Sequence, residues 1–292
     1  KKIFTNLGWE MNVEFHKMHG AKNDFVVFHD LTRSVELTPE QVAKLCDRRE
    51  GIGADGVIIV RNSDIADFFM DYINSDGTIA EMCGNGIRCL GKYVYDNALT
   101  SKKNLKVETR AGIKPLSLII GDNGKVDRVK VNMGAPIFDP YKIPVNISDR
   151  NGPILDYPVE VAHHKFYCNL VSMGNPHCVI FAEDNLDYLA RTYGPLLETH
   201  PVFPSKTNVE FCKVLGPRKL LMRVWERGSG ETFACGTGAC ASAVASVLKG
   251  FTKGETTVEL LGGPLSILWK GNNNSVIMTG KSETVYIGSI TL

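Results

Sequence analysis

Two short stretches of the chain set a reactive side chain in the same frame. "MCGNGIRC" runs from Met82 to Cys89, and "ACGTGACA" from Ala234 to Ala241. Each holds a Cys-Gly-x-Gly tetrapeptide followed by a helix-like pattern. A cysteine so placed sits at or near a helix N-terminus, and the glycines permit close backbone approach. First-turn N–H groups have no intrahelical partner and, with the helix dipole, favour negative charge. Such a loop can bind a carboxylate. It is also expected to lower its thiol from the reference pKa of about 8.5. For one copy, an inert core cysteine beside a packing glycine is the slightly better account. Two copies reverse that weighing. If both loops converge on one carboxylate, their sulfurs flank the carbon that carries it. One thiolate then removes a proton from one face while the opposite thiol supplies a proton to the other, which inverts the centre. Charge building on the carboxylate would be held by preorganised N–H groups.

The repetition extends beyond these loops. Cys83 and Cys235 are 152 residues apart, and the same separation relates Asn23 to Asn175, Gly56 to Asn208 and Asn74 to Glu226. It also relates Gly84 to Gly236 and Asn85 to Thr237. A constant offset predicts a duplicated unit, two similar lobes about a pseudo-two-fold axis, with equivalent loops facing one another across a cleft.

The elements that must carry the loops read as α+β. "VEFHKMHG" and "DFVVFHDL" read as strands, and "TPEQVAKLCDRRE" as a helix with Thr38 as N-cap and Pro39 at its first position. "GIGADGVIIV" is a glycine turn running into a buried strand, and "ADFFMDYINSDG" a strand closed by an Asp-Gly turn. "IRCLGKYVYDNAL" follows the first CGNG at helical spacing. The second half repeats this rhythm, ending with the small-residue helix "GACASAVASVLKG" and the strands "TVELLGGPLSILW" and "SVIMTG".

Composition bounds the chemistry. The chain has 292 residues, 43% apolar, with a formal net charge of +1. That charge offers no footprint for nucleic acid or an anionic membrane. No apolar run approaches the roughly 18 residues of a membrane span, and the first twenty residues lack a secretory apolar core. Met11 is a candidate natural start, with Lys1–Glu10 as leader. Eight cysteines without a CxxC pair argue against a disulfide scaffold or a structural zinc knuckle. The expectation is reduced thiols in the cytoplasm. No dinucleotide or Walker fingerprint occurs, so neither cofactor nor metal is expected.

Several longer stretches together carry a resemblance: "MHGAKNDFVVF", "DRREGIGADGV", "NSDGTIAEMCGNGIRC", "VNMGAPIF", "SMGNPHCVIF", "YGPLLETHPVFPSKTNVEF", "ERGSGETFACGTGACA" and "GGPLSI". From about Met11 to Leu292 the chain resembles the diaminopimelate epimerases. The resemblance implies a cofactor-independent enzyme interconverting LL- and meso-2,6-diaminopimelate. It implies two pseudo-symmetric lobes, each a β-sheet wrapped around a central helix. The lobes would be residues 1–132, completed by a C-terminal strand over 281–292, and residues 133–280. Cys83 and Cys235 are implied as the acid/base thiols. Gly84, Asn85, Gly236 and Thr237 would bind the α-carboxylate through backbone N–H groups. Asn23, Asn74, Asn175, Asn208 and Arg227 would hold the other polar ends, with Arg227 on the distal carboxylate. Glu226 would lie near the α-ammonium, and His177 and Glu226 would adjust the thiols. The partner is a small-molecule substrate, and a homodimer is compatible with the sequence. Two positions depart from the family pattern: Lys22 stands beside the site loop, and Gly56 replaces a glutamine, leaving backbone or Asp55 to substitute. The rival reading is a related two-cysteine racemase of the proline racemase kind. A phenazine-pathway-like isomerase is disfavoured by the intact cysteine pair. A thiol-based redox or metal-binding module is the reading from a different class.

Overall fold

The computed structural model describes residues 2–5, 8–147 and 152–292, with the backbone alone described over residues 2–5 and 8–11. Lys1, Asn6 and Leu7 of the expected leader lie outside the described residues. The chain forms two compact units, one of Lys1–Lys130 with Lys281–Leu292 and one of Val131–Gly280.

In the first unit β1 (Lys2–Thr5) pairs with β2 (Gly8–Gly20), which runs antiparallel to β3 (Asn23–His29). After α1 (Pro39–Cys46), β4 (Gly56–Arg61) lies parallel to β3, and β5 (Phe68–Asn74) returns antiparallel to β4. After α2 (Gly84–Asp96), β6 (Asn104–Thr109) lies parallel to β5 and pairs antiparallel with β7 (Gly112–Ile120). β8 (Val126–Asn132) follows a tight turn.

The second unit opens with β9 (Ile154–Val161), antiparallel to β10 (His164–Ser172). β10 then repeats the order. It is antiparallel to β11 (Pro176–Phe181), and after α3 (Leu186–Glu198) β12 (Asn208–Gly216) lies parallel to β11. β13 (Lys219–Glu226) runs antiparallel to β12 and carries the two-residue β14 (Gly230–Glu231). After α4 (Gly236–Leu248), β15 (Glu255–Leu260) lies parallel to β13, followed antiparallel by β16 (Gly263–Leu268) and β17 (Ile277–Lys281). β18 (Glu283–Thr291) belongs to the first unit, antiparallel to β2.

The duplication is therefore a property of the pairing as well as of the sequence. Phe25 opposes Gly56 and Val57 opposes Ile73; 152 residues on, His177 opposes Asn208 and Val209 opposes Trp225. A one-residue slip would turn each strand's buried set outward, so this register fixes which side chains meet the helices.

Both central helices are buried on nearly all sides. α2 buries ten residues from Gly84 to Val94, and α4 buries Ala239, Ala241, Ala243 and Ala245 among others. Alanines let the sheet approach α4 closely, and an all-round apolar helix is stable only when enclosed. α1 has the expected start, a capping box between Thr38 and Gln41. It stops at Cys46 rather than running to Glu50. The Asp47 side chain accepts from the Arg49 and Glu50 N–H groups at 2.7 and 2.6 Å, a local turn that competes with the helix.

Candidate active site

Cys83 and Cys235 occupy the same structural position, the N-cap of a central helix. Each sulfur accepts from the third backbone N–H beyond it, Gly86 for Cys83 and Gly238 for Cys235, both at 3.4 Å. Both caps have extended backbone, at φ −136° and −111°. A Cβ on Gly86 would stand 2.8 Å from Ile58, and one on Gly238 would stand 2.6 Å from a Glu210 carboxylate oxygen. The second glycine of each motif is thus a close-approach residue, as a Cys-Gly-x-Gly loop requires.

In the first unit the Cys83 thiol donates to Asn23 Oδ1 at 3.5 Å, and the Asn85 amide donates to the same oxygen at 3.3 Å. Asn23 in turn donates to Asp55 at 2.7 Å. Behind it Arg48 bridges Asp24 and Asp55, at 2.8 Å to each, and Lys17 contacts Asp24 at 2.7 Å. Burial alone would raise the Asp24 carboxyl, but hydrogen bonds from Arg48 and Lys17 outweigh it and hold it at about 2. Arg88, fully buried, ties Asn85 Oδ1 and the Gly84 carbonyl at 2.9 Å each. Asn74 ends β5 and donates to Thr78 at 3.0 Å. A Cβ at Gly56 would meet the Ile73 carbonyl at 2.5 Å and the Tyr72 ring at 2.6 Å. The backbone here is closed to a glutamine, and the Asp55 carboxylate turns to Asn23.

In the second unit Cys235 lies 3.5 Å from the Thr237 hydroxyl, and Glu226, whose charge bears on the thiol, accepts a hydrogen bond from Thr232. Asn175 donates to Thr237 at 3.4 Å and lies 3.1 Å from His177 Nε2. Asn208 Oδ1 receives the Arg227 N–H at 2.9 Å. The exposed Arg227 guanidinium reaches the Ser205 carbonyl at 3.3 Å. Gly84, Asn85 and Gly236 are buried at the helix starts, and Thr237 is half-buried.

One expectation is overturned. The helix N-terminus was expected to lower its thiol, but Cys235 is pushed well above the ordinary range. Burial is the largest cause, followed by the carboxylates of Glu226 and Glu210. Hydrogen bonds from Thr237 and the Gly238 N–H oppose them and lose. Burial likewise raises the Glu226 carboxyl, against hydrogen bonds from Thr232 and Cys235. The dipole of one helix end is worth about 0.3–2 kcal/mol, less than desolvation beside two carboxylates. The remaining cysteines, Cys46, Cys89, Cys168, Cys178, Cys212 and Cys240, are buried in the core, and none of the eight is joined in a disulfide.

Sequence reasoning missed Glu210. It lies in the middle of β12, fully buried, with one oxygen 2.7 Å from His177 Nδ1. The 152-residue offset would have exposed it, because its equivalent is the apolar Ile58 and the equivalent of His177 is Phe25. Among the described residues no group of three or more His, Cys, Asp or Glu is placed to hold a metal, and no helix is long and apolar enough to cross a membrane.

The fold is shared with solved structures of low sequence identity. A hydroxyproline epimerase from Agrobacterium vitis matches with a TM-score of 0.68 at 13% identity, covering 96% of this chain and 93% of its own. A phenazine biosynthesis protein of the PhzF family from Bacillus anthracis matches at 0.69 and 17%, covering 97% and 100%. Those likenesses define the fold class. The family is narrower. The model of the diaminopimelate epimerase family matches residues 15–138 and 169–285. The diaminopimelate epimerase of Leptospira biflexa is 46% identical over 282 residues, 97% of this chain and 100% of the relative. That of Acetivibrio thermocellus is 49% identical over 280 residues, 96% and 99% respectively. The chain belongs to the diaminopimelate epimerase family, and the proline racemase alternative is not favoured.

Proposed function

We propose that the chain interconverts LL- and meso-2,6-diaminopimelate without a cofactor, with Cys83 and Cys235 exchanging protons with opposite faces of one α-carbon. The observation that carries this reading is the pair of equivalent N-cap cysteines, each on a buried helix with the same first-turn hydrogen bond. The α-carboxylate binds the first-turn N–H groups of Gly84 and Asn85 and of Gly236 and Thr237. As the α-proton leaves, negative charge moves into that carboxylate, where the two helix ends stabilise it. Asn23, Asn74, Asn175 and Asn208 hold the remaining polar groups, and Arg227 pairs with the distal carboxylate. The chain acts in supply of lysine and a peptidoglycan precursor.

The raised Cys235 thiol has a role in this cycle. With the site empty, burial and two nearby carboxylates keep its proton on. In one direction that proton is delivered to the carbanion. In the other, Cys235 must first become thiolate, and the substrate's α-ammonium beside Glu226 supplies positive charge that favours it. Glu226, the nearby carboxylate with the larger effect on this thiol, takes the thiol proton. His177 serves the same adjustment from β11. Two lobes of residues 1–132 with 281–292 and of 133–280, a cytoplasmic location and a homodimer complete the reading. β18 leaves Val285, Tyr286 and Ile287 exposed, an apolar surface that a second copy would cover. The test is to incubate each stereoisomer with protein and chelator and to resolve the products. An LL/meso mixture reached from either side supports the reading; unchanged substrate refutes it.

A further inference from the structure

Glu210 is a buried charged group that enters the reading above only as one of two carboxylates near Cys235. Both it and His177 are fully buried, and they lie 2.7 Å apart. Its second oxygen, Oε2, is buried with no hydrogen-bond partner among the described residues. A buried carboxylate with half its capacity unmet is costly unless a cation compensates it. Both nitrogens of His177 face oxygens, Glu210 Oε1 on Nδ1 and Asn175 Oδ1 on Nε2 at 3.1 Å, with the amide oriented as the network assigns it. A ring nitrogen that faces an acceptor is suited to donate to it, so this arrangement suits a ring that donates from both sides. The duplicate shows that the fold does not need this pair. At the equivalent positions Phe25 and Ile58 fill the space beneath α2 with apolar side chains, both fully buried.

We propose that Glu210 is a positioning residue for the epimerisation: it fixes the protonation and direction of His177, which presents Nε2 to Asn175 and thereby to the Thr237 carboxylate-binding turn. Three contacts form the line, Glu210 to His177, His177 to Asn175, and Asn175 to Thr237 at 3.4 Å. Glu210 also bears on the thiol directly, because its carboxylate lies under the first turn of α4, where a Cβ on Gly238 would strike it. The charged groups bearing on Cys235 within this unit are Glu226 on β13 and Glu210 on β12, and His177 on β11 bears in turn on Glu226 and Glu210. Removing the Glu210 charge takes away one of the carboxylates that oppose the thiolate. The proposal rests on the epimerase reading above.

The test is Glu210→Gln, which keeps the shape and removes the charge. Expected is a kcat about 10-fold or more below wild type, a fraction of the ~10²–10⁴ a placed acid–base group contributes. KM should stay within about threefold, because the groups that bind substrate remain in place. The limb of the pH profile that reports Cys235 should move to lower pH. Glu210→Asp, which keeps the charge, should recover part of the rate. Nitrogen-15 NMR of the histidines in the wild-type protein adds a readout that does not depend on any variant folding. His177 should show protons on both nitrogens in wild type, and its signals should shift in Glu210→Gln. A wild-type His177 without a proton on Nδ1, or a folded Glu210→Gln with wild-type kcat and pH profile, overturns the proposal. A wild-type protein that leaves diaminopimelate unchanged refutes the function instead, and the NMR result still judges the Glu210–His177 pair.

Discussion

Acidification should weaken the first unit through one residue beside the site. Asp24 is held at about 2, against an ordinary 3.8, by Arg48 and Lys17, and its side chain is only 17% exposed. At about 1.4 kcal/mol per pH unit this difference is worth about 2 kcal/mol of folding free energy. The folded carboxyl is the stronger acid, so the unfolded chain takes up the proton first as pH falls. The contribution is complete above about pH 5, declines through about pH 4 and is gone below about pH 2. Asp24→Asn removes it at every pH. The assay is urea unfolding of both proteins by circular dichroism at intervals from neutral pH to about pH 2. The free-energy gap between wild type and variant should narrow by about 2 kcal/mol across that window. A gap that stays constant with pH would refute the reasoning. The site should register the same event, because the Asp24 N–H and Asn23 both donate to Asp55.

Other expectations concern the site itself. Cys83→Ala and Cys235→Ala should each abolish epimerisation measured by stereoisomer resolution, whereas Cys89→Ala or Cys240→Ala should keep activity and cost about 1 kcal/mol of packing by urea titration. Arg227→Met should lower kcat/KM by about 100-fold or more, since a desolvated carboxylate without its partner costs roughly 3–5 kcal/mol. Its melting temperature should hold, because the side chain is exposed and reaches only the Ser205 carbonyl. Gly56→Gln should destabilise by roughly 1–3 kcal/mol, the usual cost of overpacking, because a Cβ there meets the Ile73 carbonyl at 2.5 Å. Improved substrate affinity in that variant would contradict the closed backbone.

Much of the architecture was legible because it is written twice. The offset of 152 that joins the cysteines also governs strand register, as Val57–Ile73 and Val209–Trp225 show. The helix starts were legible too, since Thr38 and Pro39 are local signals that need no tertiary context. β9 was not read as a strand: "ILDYPVEV" carries Pro158 and acidic residues, and its pairing with β10 along one edge decides the matter. Glu210 was hidden for a similar reason. Within "NVEFCKVL" it looks like the polar member of an alternating strand, and only the fold turns that face inward onto His177. The direction of the Cys235 shift was misread because helix position is visible in sequence, whereas burial beside Glu226 and Glu210 is not.

The central claim, two thiols acting on opposite faces of one carbon, is tested most directly by deuterium entry during the first few per cent of conversion in D₂O. LL-diaminopimelate is supplied, the remaining LL substrate and the meso product are separated, and each is weighed by mass spectrometry. The account predicts one deuterium at the inverted α-carbon of the meso product and almost none in the unreacted LL pool. Each face has its own thiol, so the proton removed is not the one returned. Meso product that retains the original hydrogen, or deuterium appearing equally in substrate and product, would mean that a single base serves both faces and would contradict the account.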